Sequence, residues 1–130
     1  FLEISNPVPD DMKIKDVNHA LSLFEKHEIK FGEGSDAGNS SKTNYHYDKI
    51  IEIAGFLKKE KALPNLSIFF KHPNPWVRVG AAVHLLPWDE IKSLEVLRLI
   101  ETNEKGIVTI EAQYCIEEWE NGNLKHFYTL

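Results

Sequence analysis

The sequence holds one cysteine, Cys115, among 130 residues, so no disulfide can close within the chain. A lone thiol fits a reducing, cytoplasmic compartment. No apolar run approaches the ~18–20 residues that span a bilayer, and no charged-then-apolar secretory pattern is visible. Basic residues are the minority: 15 Lys and Arg stand against 20 Asp and Glu, a net charge of −5. That deficit argues against nucleic-acid binding, whose affinity comes largely from neutralising phosphates. The sequence also lacks alternating strand-like segments, Phe1–Ser5 being the nearest and too short to matter. It has no phosphate-cradling glycine motif and no Gly-x-Ser-x-Gly elbow.

What is present is helical periodicity. Apolar residues make up 42% and charged ones 27% of the chain. That balance, at this length, supports one domain able to fold without metal or disulfide. An extended arm is expected over Phe1–Pro9. A first helix fits Lys13 to Phe31, with Val17, Leu21, Phe24 and Phe31 in phase and Gly32 as its end. The stretch 32–44 is rich in Gly, Ser, Asn and Asp and reads as an inserted mobile loop. A second helix covers Tyr45–Lys61, with Tyr47, Ile50, Ile51, Ala54 and Leu57 inward. A third is expected over Leu63–Lys71. Asn74 then caps a helix that starts at Pro75 and ends near Leu86. Asp89 caps another, to about Thr102, and a last helix fills Ile107–Glu120 before a left-handed stop at Asn121-Gly122. The tail, 123–130, carries Leu124, Phe127 and Tyr128.

The second half repeats itself at an offset of 31: Leu63 falls on Leu94, Leu66 on Leu97, Phe69 on Ile100, Val77 on Val108, Ala81 on Ala112 and Leu85 on Ile116. Each unit is a helix, a turn and a second helix reading Val-x-x-x-Ala-x-x-x-Leu/Ile. Positions four apart share a face, and the central alanine lets a neighbouring helix come close. One such hairpin cannot bury its face alone, so neighbours must stack. The chain therefore divides into a degenerate first hairpin over 10–62, units over 63–87 and 88–122, and the tail.

At these residues the sequence resembles a known family. His72-Pro73-Asn74-Pro75-Trp76-Val77-Arg78-Val79-Gly80-Ala81-Ala82 looks like the signature of a HEAT repeat: Asn or Asp before Pro, then Val-Arg, then small residues. From there through Leu85-Leu86-Pro87 to Glu118-Trp119-Glu120-Asn121-Gly122 it resembles short bacterial HEAT-like proteins of unknown function, over about Leu63–Leu124. The resemblance implies an all-α fold, a right-handed α-α superhelix of about three stacked hairpins. It brings no catalytic, metal or cofactor residues. HEAT-type domains generally act as protein-binding scaffolds, and small stand-alone bacterial ones include candidate toxin-neutralising immunity proteins.

The residues themselves suggest two binding features. Trp76, Val79 and Val83 form an apolar stripe beside the inward positions of their helix. It is either a binding anchor, as aromatics often are, or a surface packed on the next hairpin. The second feature is charge. Residues 89–120 carry nine acids and three bases, net −6, whereas residues 1–88 balance at eleven each. Glu101, Glu104, Glu111 and Glu118 in this acidic third are the candidate contacts for a basic protein partner, alongside the alternative of a merely solvated surface. Arg78 is expected to pair with acids of neighbouring turns. The histidines show no i, i+4 metal spacing, and Cys115 reads as a buried, inert thiol. The leading expectation is a non-catalytic protein-binding module; the alternatives are a subunit of a larger assembly and a helical-repeat nucleic-acid enzyme using Trp76, Trp88, Trp119 and Glu111. The last needs a basic groove, and the charge has the wrong sign.

Overall fold

A computed structural model describes residues 13–124. The expected arm and the tail beyond Leu124, including Phe127 and Tyr128, lie outside the described residues. Among those described the chain is all-helical, with no strand: α1 (Val17–Asp36), α2 (Ser40–Lys59), a 3₁₀ segment (Leu63–Phe69), α3 (Pro75–Leu85), α4 (Glu90–Asn103) and α5 (Ile107–Glu120). No described helix is long and apolar enough to cross a membrane.

The helix ends follow local chemistry. The side chains of Asp16, Asn39, Asn74 and Asp89 each accept a backbone N–H from the first turn that follows them. Pro75 opens α3, where its missing N–H has no partner to lose. At the end of α5 the Gly122 N–H donates to the Trp119 carbonyl (3.0 Å) and the Asn123 N–H to that of Glu118 (2.8 Å). Gly122 has φ of 78°, so this is the left-handed stop expected at Asn121-Gly122.

The expected loop over 32–44 is not there. α1 continues through Gly32 and Gly34 to Asp36, and a three-residue turn leads to α2, with Gly38 at φ 67°. The glycines serve close approach instead of flexibility. A Cβ on Gly32 would strike the Trp76 ring, and one on Gly34 would lie 2.7 Å from Thr43 Oγ1 on α2. The inward face of α2 also differs: Ile50, Ile53 and Leu57 are buried, while Tyr47 is 42% exposed. The segment Leu63–Phe69 winds as 3₁₀ where an α-helix was expected. Its buried residues Leu63, Leu66 and Phe69 are three apart, the spacing that aligns on one edge of a three-residue turn.

α1 and α2 pair as one hairpin, the 3₁₀ segment packs on α3, and α4 packs on α5. α3 lies at the centre. Its Val77, Ala81 and Leu85 join Phe24, Ile53 and Leu66 in one core cluster, and its Trp76, Val79 and Ala82 join Leu97, Ile100 and Ala112 in another. Of the twelve residues matched at offset 31, all are buried except Leu94, which is half-buried. Because α3 serves both clusters, its start matters. Asn74→Ala removes the Asn74 Oδ1 acceptor of the Trp76 N–H (2.8 Å). The expected loss is about 1 kcal/mol, read as a lower urea midpoint at unchanged slope; an unshifted midpoint contradicts it.

Candidate functional site

Of the two readings open for the stripe of Trp76, Val79 and Val83, the structure shows the packed one. Trp76 is 5% exposed and Val79 4%, and Val83 is half-buried. Their stripe is covered by neighbouring elements. The Trp76 indole meets Phe31 edge-on (centroids 5.7 Å apart), lies over Gly32, and donates through Nε1 to Asp36 Oδ2 at 3.3 Å. The four acids do not share one face. Glu101 is exposed. Glu104 Oε2 accepts from Arg78 (2.9 Å), the pairing expected of that arginine, and Glu118 Oε1 accepts from Asn123 Nδ2 (3.2 Å). Glu111 is turned inward, where it accepts from the Cys115 thiol at 3.7 Å. Other charge in the acidic third is engaged too: Arg98 meets Glu120 at 3.2 Å, and Trp119 Nε1 donates to Glu90 at 2.7 Å.

Trp76, Val79, Val83 and Glu111 do come together, around a cavity. It measures about 200 Å³ and lies among α1, α2, α3 and α5. Phe31, Tyr47, Tyr114 and Leu124 complete its apolar wall, and Glu28 of α1 faces Gly80 of α3. Glu28 is 4% exposed, and no hydrogen bond or ion pair engages its carboxyl among the described residues. A Cβ on residue 80 would collide with that carboxyl, so the glycine seats it directly on the α3 backbone. A larger groove of about 490 Å³, walled by Ile51, Ala54, Gly55, Leu63 and His84 with Lys58 and Lys59, carries no acid among the described residues.

Burial sets the protonation of the cavity. It pushes the Glu28 carboxyl well above its ordinary value, and the nearby Glu111 pushes it further. Glu111 is itself raised by burial, with the Cys115 hydrogen bond opposing. The Cys115 thiol is pushed up by burial and then by Glu111, which keeps it protonated and inert. The Tyr47 hydroxyl is raised by burial and then by Asp48. His84 is buried, donates from Nδ1 to the Gly80 carbonyl (2.9 Å), and is lowered by burial against that bond. Perturbed groups converging on an apolar cavity are the usual mark of a functional site.

Sequence reasoning missed Glu28, Phe31 and Tyr47 as partners of this cavity. One signal was present: Glu28 falls in phase with the buried Ala20 and Phe24, an acid on an apolar face. It also missed the contact of His27 Nδ1 with His46 Nδ1 at 2.9 Å, which joins α1 to α2 across a turn. No group of three or more potential metal ligands occurs among the described residues.

Comparison with known proteins adds the fold class. No family model matches the chain, and no curated protein matches it. A solved structure, that of the protein RPA1889 from Rhodopseudomonas palustris CGA009, superposes with a TM-score of 0.76 at 23% identity, covering 85% of this chain and 93% of that one. The likeness establishes a shared all-helical fold and says nothing about activity.

Proposed function

We propose that the chain is a non-catalytic protein-binding module whose hairpins stack as HEAT-type repeats, and that it receives a basic protein on the free side of its last hairpin. One observation carries the reading. At offset 31, Trp76, Val79 and Val83 fall on Ile107, Ile110 and Tyr114. On α3 this stripe packs with the α4–α5 hairpin, as Trp76 and Val79 join Val108 and Ala112 in one cluster. On α5 the equivalent residues stay exposed, Ile110 by 64%. A face that stacks in one unit and is bare in the next is a place for a partner. The net charge of −6 over residues 89–120 favours a basic one, speeding encounter and setting specificity. A toxin made basic by its need to bind nucleic-acid phosphate is the most concrete such partner, and neutralising it would make this chain an immunity protein.

Co-expression with basic proteins encoded by neighbouring genes tests the reading. A partner should co-purify with the wild-type chain at low salt and be lost at high salt. Ile110→Asp should weaken capture about tenfold or more, the range of a buried interface anchor. A partner held equally by Ile110→Asp and indifferent to salt would sink the proposal.

A further inference from the structure

We propose that the cavity among α1, α2, α3 and α5 binds a small organic ammonium ion, an alkyl or arylalkyl primary amine, with its charged end against Glu28 and Glu111 and its stem among Phe31, Trp76 and Tyr114. Geometry carries this. The Glu28 carboxyl is 4% exposed, borders the cavity, and lacks a hydrogen-bond or ion-pair partner among the described residues. Leaving a carboxyl almost wholly buried and unpaired is among the costlier arrangements in a fold, yet α3 presents a glycine at the one position that makes room for it. A second carboxyl, Glu111, lines the same space, and its hydrogen bond comes from a neutral thiol, so neither acid meets a cation among the described residues. The walls are aromatic and aliphatic, and faces of Phe, Tyr and Trp attract an ammonium that carboxylates neutralise. A volume of about 200 Å³ lies below the ~300–1,000 Å³ of most small-molecule sites, which limits the occupant to a compact amine.

Binding has a defined proton balance. The ammonium arrives with its charge, the acid pair gives up one proton to solvent, and an ion pair replaces a neutral acid. The titratable groups facing the site are Glu28 on α1, Tyr47 on α2, His84 on α3, and Glu111, Tyr114 and Cys115 on α5. Burial holds the Tyr47 hydroxyl and the Cys115 thiol up and the His84 imidazolium down, so all three stay neutral near pH 7 and the carboxyls supply the proton.

This inference goes beyond the docking reading and is tested separately from it. Benzylammonium and its neutral counterpart benzyl alcohol are titrated into the full chain by calorimetry, in two buffers of different ionisation enthalpy. Expected are saturable amine binding at least about tenfold tighter than the alcohol, release of a proton, and a tenfold or greater loss in Glu28→Gln. Ile110→Asp should leave the amine affinity unchanged. Equal binding of alcohol and amine, absence of saturable amine binding, or full affinity in a folded Glu28→Gln overturns the proposal. Should Glu28→Gln not fold, the wild-type comparison of amine with alcohol still decides.

Discussion

Trp76→Ala is expected to lower stability by about 3–5 kcal/mol, the range for truncating a buried aromatic. Domains of this size are held by only about 5–15 kcal/mol, so the variant should unfold at a much lower urea concentration. The reason lies in where the side chain sits. Trp76 belongs to α3, yet it packs edge-on Phe31, covers Gly32, and donates to Asp36, all on α1. It also belongs to the cluster that α3 shares with α4 and α5. Removing it opens a void at the point where the first hairpin meets the rest. Trp88→Ala is the control. Trp88 is 58% exposed, and its loss should change stability by no more than about 0.5 kcal/mol. Equal urea midpoints for the two variants would refute this account of the core.

The second large effect is a pH dependence centred on Glu28. Its carboxyl is raised in the folded state by burial and by Glu111, so the folded chain holds that proton more tightly than the unfolded chain does. Its contribution is therefore fully present below the ordinary carboxylate value of 4.5 and is lost as pH rises through the folded value. The slope is at most about 1.4 kcal/mol per pH unit for each such group. His84 works in the opposite sense. Burial lowers it in the folded state, so stability falls as pH drops below its ordinary value of 6.5. Between those two ordinary values the slopes oppose, and the Glu28 decline runs from its ordinary value up to its raised folded value. Glu28→Gln removes the larger part of that decline. The variant should match the wild type at about pH 4 and exceed it at about pH 8 in urea titrations, Glu111 leaving a residual slope. Parallel profiles for the two proteins would mean that Glu28 titrates as an ordinary carboxyl.

Much of this architecture could be read from local sequence. Asn74, Asp89 and Asn121-Gly122 mark helix ends because capping chemistry acts within a few residues. The buried Val77, Ala81 and Leu85 follow from helical period alone. The stretch 32–44 misled for a specific reason. Glycine marks a loop when the chain needs freedom and a helix contact when a neighbour needs space, and the neighbours here, Trp76 and Thr43, come from elsewhere in the chain. Trp76 and Val79 show the same ambiguity: an apolar stripe beside an inward face is surface or interface depending on what stacks on it, and here it is buried.

The sequence by itself determined the helical class, the caps at Asn74 and Asp89 and the inward face of α3, and it placed the excess of negative charge in residues 89–120. Period, capping and charge are properties of short segments. Only the tertiary structure decided that Glu104 spends its charge on Arg78, and that Glu111 turns inward. It also placed Glu28 against Gly80 in a cavity walled by aromatics from several helices. Those outcomes depend on which helix faces meet, a matter of packing between segments distant in the chain.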